Sequence, residues 1–209
     1  IVETEAEAFK VAEEVGYPVI VKASAGGGGR GMRVVENEAG LMDAIESAAQ
    51  EASAAFGNGS VYIEKYLAKA RHFEVQTIGD GRGDAIHLFE RDCTSQRRHQ
   101  KLIEEAPAPN VTPEKRDEVA QTAAALIKQA NYCGAATVEF LMDGDQNFFM
   151  LEVNTRIQVE HPVSELITGI DIVGEQIRVA AGEPLSMRQE DISINGHAIE
   201  CRINAEDPD

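Results

Sequence analysis

The feature that most constrains the fold is a run of four glycines, residues 26–29, between two strand-like segments. The segment before it, PVIVKAS, is apolar and β-branched, and the segment after it, MRVVENE, lacks an N-cap and also resembles a strand. A Walker A loop needs Lys and then Ser or Thr after its last glycine, and no glycine here continues in that way. A dinucleotide-binding loop needs a helix directly after its glycines. We therefore predict a β-hairpin flap whose glycine tip can close over phosphates.

The composition argues against several classes of partner. The chain has 209 residues, a formal net charge of −17 and a pI near 4.7, which argues against nucleic acid and anionic membranes. No apolar stretch approaches the length of about 18 residues that a transmembrane helix needs, and the acidic start predicts no signal peptide. The first residue is Ile1 rather than Met, so we expect a piece of a longer protein. Three widely spaced cysteines fit a reducing compartment, which predicts the cytoplasm, or the mitochondrial matrix in a eukaryote.

One basic run stands out in this acidic chain. The segment RDCTSQRRHQK gathers five cationic or imidazole side chains: Arg91, Arg97, Arg98, His99 and Lys101. An acidic protein that binds a polyphosphate must concentrate its cations locally, and this run could serve that purpose. A solvated surface loop is the alternative interpretation of the same residues.

The order of the predicted elements indicates two parts. The first part has a helix over residues 4–15, the flap hairpin, a second helix over residues 38–56 and a strand in VYIEKYL, and it ends near residue 66. The second part opens with a hairpin around DGRGD, followed by an extended segment, KLIEEAPAP.

Helices and a further hairpin complete the second part. Thr112 as N-cap and Pro113 at the first helical position predict a helix to about residue 130. A hairpin over residues 135–154, a polar turn, a helix over residues 170–181 and a last strand in GHAIECRIN follow. Antiparallel pairs with helices between them favour an α+β fold over a doubly wound sheet.

The hairpin over residues 135–154 predicts a metal site. With its turn near the middle, Glu139 and Glu152 lie opposite each other, about 5 Å apart on one face, and Asn154 points to the same face. Two facing, partly buried carboxylates repel each other and need a cation between them. Carboxylate and amide oxygens suit Mg²⁺. The alternative is that one glutamate faces solvent at a strand edge.

The segment EVNTRIQVEHP adds possible chemistry directly after that hairpin. Arg156 could clamp a small anion through its guanidinium fork, and Glu160 near a cation could act as a general base. A surface ion pair between an arginine and a glutamate is the alternative. Histidines in strand-like runs are, taken alone, expected to be structural: His72, His87 and His197.

Five motifs run through the chain: KASAGGGGRGMRVV, EKYL, ERDCTSQRRHQKLIEEAPAP, GAATVEFLMDGDQNFFMLEVNTRIQVEHPVSELITGIDIV and GHAIECRINAEDP. In this order and spacing they resemble the biotin carboxylase component of biotin-dependent carboxylases, more closely those of the acyl-CoA type than pyruvate carboxylase. That family has the ATP-grasp fold, and the resemblance covers essentially the whole chain.

The resemblance implies two lobes that grip ATP, a lid over residues 1–66 and a catalytic core over residues 67–209. Backbone N–H groups of Gly28 and Gly29 in the flap would contact the phosphates, and Lys22 would add a positive charge. The other implied nucleotide contacts are Glu64, Lys65, Tyr66, Leu67, His72, Gln96 and His99. The implied ligands of Mg²⁺ or Mn²⁺ are Glu139, Glu152 and Asn154.

The chemistry that the resemblance implies is a two-step carboxylation. Bicarbonate attacks the γ-phosphate of ATP to give carboxyphosphate, which breaks down to phosphate and CO₂, and the ureido nitrogen of biotin captures the CO₂. Glu160 matches the base that deprotonates bicarbonate, and Arg202 matches the residue beside the ureido oxygen. The implied bicarbonate contacts are Lys101, Arg156, Gln158 and the backbone of Val159.

The resemblance also implies partners. Biotin would arrive on a separate carrier domain or protein, because the chain lacks the Met-Lys-Met attachment motif. A carboxyltransferase component would select the acyl acceptor, and the complete protein would form a homodimer. Relative to the family, a preceding domain with a nucleotide-contacting lysine and a following segment are missing, so we expect the chain alone to lack parts of the site. Ala25 stands where some relatives carry glycine, which is expected to stiffen the flap.

Two further interpretations remain open. An ATP-grasp unit of the carbamoyl phosphate synthetase type shares the carboxyphosphate chemistry, but its motifs diverge at QRRHQK and NTRIQVEHP. A non-catalytic nucleotide-binding module would keep the fold without the reaction, and the joint presence of the charged site residues argues against it.

Overall fold

The computed structural model of the protein describes residues 1–2, 4–25, 32–97 and 100–205. The chain divides into two compact units, Ile1–Ala68 and Lys69–Asp209. Each unit has its own hydrophobic core, and each combines antiparallel strands with helices. The predicted α+β class is therefore confirmed.

The N-terminal unit is a three-stranded antiparallel sheet with two α-helices, and the strand order is β2-β1-β3. The strands are β1 Val19–Ala23, β2 Arg33–Val35 and β3 Val61–Lys65, and the helices are α1 Glu5–Val15 and α2 Leu41–Phe56, the latter preceded by a 3₁₀ turn at Glu38–Gly40. Because β1 and β2 pair antiparallel, the hairpin predicted around the glycine run is confirmed. The tip of that hairpin, with Gly28 and Gly29, lies outside the described residues.

Helix α1 forms where the sequence places a cap before an apolar stripe. Thr4 is the N-cap, and its hydroxyl accepts a hydrogen bond from the Glu7 N–H at 3.2 Å. Gly16 follows the helix at a φ of 79°, a conformation that favours glycine. Ala8 and Ala12, one helical turn apart, are buried in the core of the unit.

The C-terminal unit is a six-stranded antiparallel sheet with the order β8-β7-β4-β5-β6-β9. The strands are β4 Arg71–Asp80, β5 Ala85–Arg97, β6 Gln100–Ala106, β7 Cys133–Met142, β8 Phe148–Asn154 and β9 Ala198–Cys201. The helices are α3 Pro113–Gln129, α4 His161–Thr168 and α5 Ile172–Ala180, with a 3₁₀ turn at Gln189–Asp191. The predicted hairpins and the extended segment before the prolines are confirmed, whereas the predicted last strand is shorter than GHAIECRIN.

Helix α3 begins and packs as its sequence indicates. The Thr112 hydroxyl accepts a hydrogen bond from the Lys115 N–H at 3.3 Å, and Pro113 occupies the first turn. Ala123 and Ile127 of α3 pack in one core cluster with Val138 of β7. The helix therefore covers the face of the sheet on which Val138 lies.

The segment after β8 differs from the prediction. A polar turn and one helix over residues 170–181 were expected, but two helices, α4 and α5, are present. Gly169, in the left-handed conformation at a φ of 73°, ends α4, and Asp171 caps α5 by accepting a hydrogen bond from the Gly174 N–H at 2.8 Å. Val163 and Ile167 are buried at helical spacing and identify α4.

None of the helices in the described ranges is long and apolar enough to cross a bilayer. The three cysteines are free, and only Cys93 is buried.

Candidate active site

Four polar side chains form a row across four adjacent strands of the six-stranded sheet. Glu152 of β8 is the register partner of Glu139 of β7. Glu139 in turn pairs with Glu74 of β4, and Glu74 pairs with Arg91 of β5. Direct cross-strand partners point to one face, and neighbours along a strand alternate. Because Val138 packs against α3, this polar row lies on the opposite face of the sheet.

The facing pair predicted for Glu139 and Glu152 is confirmed by the register of the β7–β8 hairpin. Asn154 lies on the same face, as predicted. Its Nδ2 donates to Glu139 Oε1 at 2.8 Å and approaches Glu152 Oε1 at 3.5 Å. The two carboxylates differ in burial, because Glu139 is 5% exposed and Glu152 is exposed on the edge strand β8. The expectation that both are partly buried is therefore wrong for Glu152, since an edge strand leaves it uncovered.

Glu139, Glu152 and Asn154 can all offer oxygen atoms to a divalent cation once the side-chain amide of Asn154 has flipped. Asn154 turns its amide nitrogen toward the two carboxylates, while its Oδ1 accepts from Arg156 Nη2 at 3.4 Å. A flip of the amide would present Oδ1 instead, and the all-oxygen set then suits Mg²⁺ or Mn²⁺. A second group able to hold a metal lies beside it: single ligand atoms of His72, Glu74 and Glu139 lie within 4.8 Å of one another.

Lys101 of β6 joins three buried carboxylates. Its Nζ donates to Glu139 Oε1 at 3.1 Å, to Glu160 Oε1 at 2.7 Å, and to Glu74 Oε1. An ammonium has three N–H donors, so all of them are engaged by these carboxylates. An anion that binds Lys101 must therefore displace at least one carboxylate.

Two of these carboxyls have lowered pKa values. Burial raises the pKa of Glu139, but the hydrogen bond from His72 and the charge of Lys101 outweigh burial and bring it to about 2. For Glu160, burial again raises the pKa, and the hydrogen bond and charge of Lys101 together with the charge of Arg91 lower it further than burial raises it. Both groups are therefore carboxylates at neutral pH, able to bind a cation or accept a proton.

Arg202, directly after β9, extends the site to the other side of Glu160. Its Nη2 donates to Glu160 Oε2 at 2.8 Å, and its Nε donates to Glu104 Oε1 at 2.6 Å. Burial raises the pKa of Glu104, opposed by the charge of Arg202. Glu160 is thus held between two cations, one on each oxygen.

The loop between β8 and α4 carries the remaining predicted anion contacts. Arg156 is exposed and donates to the backbone carbonyl of Ile157 at 3.2 Å. Gln158 is buried, and its Nε2 donates to Glu139 Oε1 at 3.0 Å. Val159 is 60% exposed. The loop therefore brings Gln158 and Glu160 into the cluster around Lys101 and leaves Arg156 and Val159 at its surface.

His72 and Gln96, both predicted to lie near the nucleotide, belong to the C-terminal unit. His72 Nε2 lies 3.1 Å from Glu74 Oε1 and 3.2 Å from Glu139 Oε2, so it contacts two members of the polar row. Gln96 is the cross-strand partner of Lys101, and its Nε2 donates to the carbonyl of Cys93 at 2.9 Å. The third such residue, His99, lies outside the described residues.

The predicted nucleotide residues that the structure describes in the N-terminal unit lie within strands β1 and β3 or directly after β3. Lys22 Nζ pairs with Glu64 Oε2. Lys65 Nζ donates to the carbonyl oxygens of Gly16 at 2.8 Å and Tyr17 at 3.1 Å. The other two residues are Tyr66, whose N–H donates to the Pro18 carbonyl at 3.1 Å, and Leu67, which is half-buried.

Several residues of the site were not predicted from the sequence. Arg91 was noted only as part of the basic run, and its alternative interpretation as a solvated loop is wrong, because Arg91 lies in β5 and is 0% exposed. Glu74 and Glu104, both 0% exposed, are not among the residues that the sequence predicts for the site. Charged residues inside otherwise apolar strands, such as Glu74 in HFEVQTIG, were the available signal.

Known proteins resemble this chain in sequence. Residues 1–188 match the family described as carbamoyl-phosphate synthase L chain, ATP binding domain. The biotin carboxylase of Allochromatium vinosum is 58% identical over 201 residues, covering 96% of this chain and 44% of the relative. The biotin carboxylase of Pseudomonas aeruginosa is 57% identical over 206 residues, covering 99% of this chain and 46% of the relative.

Two solved structures show the same fold. One is the biotin carboxylase domain dimer of Hydrogenobacter thermophilus 2-oxoglutarate carboxylase, crystallised with MgADP, ADP and bicarbonate. It has a TM-score of 0.92 at 53% identity, with 100% of this chain and 46% of that chain covered. The biotin carboxylase–βγ-ATP complex from Campylobacter jejuni has a TM-score of 0.91 at 56% identity, with 97% and 45% covered.

The fold and these matches define an ATP-grasp protein, which confirms the predicted fold. The chain belongs to the carbamoyl-phosphate synthase L chain, ATP-binding domain family, and the relatives named above are biotin carboxylases or biotin carboxylase domains. The chain spans less than half the length of these curated relatives, 44% of one and 46% of the other.

Proposed function

We propose that this chain carries the ATP-grasp part of a biotin carboxylase. The reaction is MgATP-dependent activation of bicarbonate to carboxyphosphate, followed by carboxylation of biotin on a carrier. The observation that carries the proposal is Glu160, held 2.7 Å from Lys101 Nζ and 2.8 Å from Arg202 Nη2. A carboxylate between two cations can take a proton from an anionic substrate while the cations neutralise that substrate.

Bicarbonate binds, on this proposal, where Lys101 and the loop after β8 meet. Lys101 and Arg156 supply positive charge, and the Gln158 amide and the Val159 backbone N–H supply neutral donors. Glu160 then removes the bicarbonate proton, and the resulting carbonate oxygen attacks the γ-phosphorus while the bond to the β,γ-bridging oxygen breaks and ADP leaves. Phosphoryl transfer of this kind is accelerated mainly by positioning and charge neutralisation, which these side chains provide.

A divalent cation and the nucleotide complete the proposed site. Glu139, Glu152 and Asn154 hold Mg²⁺ or Mn²⁺, which neutralises phosphate charge when bound. Lys22 and the flap glycines Gly28 and Gly29 contact the phosphates. The other proposed nucleotide contacts are Glu64, Lys65, Tyr66, Leu67, His72, Gln96 and His99.

Arg202 is proposed to face the ureido oxygen of biotin. Removal of a proton from the ureido nitrogen leaves negative charge on that oxygen, and a guanidinium keeps its own proton at any physiological pH. The 2.6 Å bond to Glu104 holds the Arg202 side chain in place beside Glu160. Arg202 thus contacts the proposed base, Glu160, and on this proposal also neutralises the charge on the biotin oxygen.

The proposed partners follow from the same reaction. Biotin is supplied by a carrier domain or protein, and the carboxyl group is passed to a carboxyltransferase component. A homodimer is proposed for the intact protein, supported by the dimer of the Hydrogenobacter relative. Action in the cytoplasm fits the reducing environment that three free cysteines favour.

ADP release that depends on both free biotin and bicarbonate, in the presence of MgATP, tests the proposal. The assay uses the intact protein that carries this sequence, beside Glu160→Gln and Arg202→Ala. Both variants are expected to lose activity by about two orders of magnitude or more. Matched controls are Glu118→Gln and Arg188→Ala, which change exposed residues outside the site and are expected to keep wild-type rates.

Two results would contradict the proposal. ATP turnover that is indifferent to biotin would favour an ATP-grasp ligase of the carbamoyl phosphate synthetase type. Nucleotide binding without turnover would favour a non-catalytic binding module.

A further inference from the structure

Arg91 is a fully buried cation with every donor engaged. It is 0% exposed and lies at the end of the polar row. Its five N–H groups donate to five different side chains: Glu74 at 3.0 Å, Gln76 at 2.8 Å, Ser164 at 3.2 Å, Thr137 at 3.2 Å and Gln158 at 2.9 Å. A guanidinium has five donors in fixed directions, so this set leaves no freedom for the side chain to turn.

We propose that Arg91 is a positioning residue that fixes the side-chain amide of Gln158 with its NH₂ group toward the bicarbonate site. The proposal rests on the function proposed above, because it concerns the same anion pocket. Gln158 is buried between Arg91 on one side and Glu139 on the other. Arg91 itself does not touch the substrate.

The orientation of the amide follows from its two neighbours. Arg91 Nη2 can only donate, so the amide oxygen of Gln158 must face it, at 2.9 Å. The Glu139 carboxylate can only accept, so the amide nitrogen must face Glu139, at 3.0 Å. The reverse orientation would set two donors against each other and two acceptors against each other inside the protein.

This orientation decides what Gln158 offers to an anion. Among the described residues, Gln158 Nε2 donates only to Glu139 Oε1, so its second N–H remains for bicarbonate. With the amide reversed, the carbonyl oxygen would face the negatively charged substrate and repel it. Arg91 therefore controls bicarbonate affinity through Gln158.

Arg91→Lys is the first test, in the intact protein assayed for biotin- and bicarbonate-dependent ADP release. Lysine keeps the charge beside Glu74 but cannot direct donors to five partners. The KM for bicarbonate is expected to rise about tenfold while the KM for ATP stays within about twofold. Ser164→Ala is the matched control, because it removes one bond to Arg91 without touching Gln158, and it is expected to keep the wild-type KM for bicarbonate.

A double-mutant cycle separates positioning from general loss of structure. Gln158→Ala alone is expected to raise the KM for bicarbonate. Adding Arg91→Lys to it is expected to cause no further rise, because the residue through which Arg91 acts is already gone. Additive effects, or equal rises in both KM values, would overturn the proposal.

A charge-matched pair covers the case in which Arg91→Lys does not fold. Arg91→Gln combined with Glu74→Gln removes a buried cation and a buried anion together, and Glu74→Gln alone is its reference. The double variant is expected to have a higher KM for bicarbonate than Glu74→Gln alone. Equal KM values in these two variants would overturn the proposal. If the wild-type protein shows no biotin- and bicarbonate-dependent turnover, the proposed function itself fails, which is a different outcome from an active wild type with an additive cycle.

Discussion

Acidification is expected to destabilise the C-terminal unit through one buried imidazole, that of His87 in β5. His87 is 6% exposed, and its Nδ1 accepts a hydrogen bond from the Phe89 N–H at 3.4 Å. The ring packs edge-on against Phe89, with the ring centroids 5.2 Å apart. Protonation of Nδ1 would break that hydrogen bond and bury a charge, although Asp117 of α3 offers some compensation.

The magnitude follows from the pKa of His87. Burial lowers the pKa of this group from 6.5 to about 4, opposed by the charge of Asp117. Between those two pH values the unfolded chain binds a proton that the folded chain does not, so stability falls as the pH falls. Full stability is present above pH 6.5, about 2 kcal/mol is lost by pH 5, and roughly 3 kcal/mol is lost below pH 4.

Urea unfolding of the intact protein at pH 7 and pH 5, followed by circular dichroism, measures this effect. The comparison variant is His87→Gln, which cannot titrate and can still accept the bond from Phe89. The difference in free energy of unfolding between wild type and variant cancels the other titrating groups. From pH 7 to pH 5, the wild type is expected to lose about 2 kcal/mol of unfolding free energy relative to His87→Gln. A difference that stays constant within about 0.5 kcal/mol would refute the burial argument.

Three other perturbations have expected outcomes. Arg116→Met removes the cationic partner of buried Glu90, whose carboxylate lies 2.7 Å from Arg116 Nε. It should cost roughly 3 kcal/mol in urea unfolding, and an unchanged midpoint would contradict this. Gly79→Ala places a methyl group 2.2 Å from the Tyr132 carbonyl oxygen and is expected to destabilise by about 2 kcal/mol or more, which a thermal melt would detect. Glu139→Gln is expected to raise the Mg²⁺ concentration for half-maximal ADP release at least about tenfold, and an unchanged Mg²⁺ requirement would exclude Glu139 as a ligand.

The sequence predicted the elements whose signals are local. Thr112 and Pro113 mark the start of α3 by their own hydrogen-bonding and φ preferences, without reference to the rest of the chain. The facing pair of Glu139 and Glu152 could be predicted because both strands belong to one hairpin, although a register shift between Glu139 and Phe140 lies between this pair and the turn.

Contacts between distant segments could not be predicted in the same way. The pairing of Glu74 with Arg91 depends on the register of β4 against β5, which shifts at an irregularity between Val75 and Thr77. The pair of Glu104 with Arg202 joins segments 98 positions apart, through the pairing of β6 with β9. The hydrophobic periodicity of one segment does not indicate which distant segment pairs with it. Helix α4 was missed for another reason: at eight residues it is short, and its N-cap residue, Glu160, makes no side-chain capping hydrogen bond.

The engagement of Lys101 by three carboxylates has a kinetic consequence. All three N–H groups of the Lys101 ammonium donate to neighbouring carboxylates, so none of them is free to bind an anion. A divalent cation that draws the Glu139 carboxylate toward itself would release one of those N–H groups. For the proposed reaction, entry of the cation and entry of the anion are then coupled, which predicts that metal–nucleotide adds first and bicarbonate second.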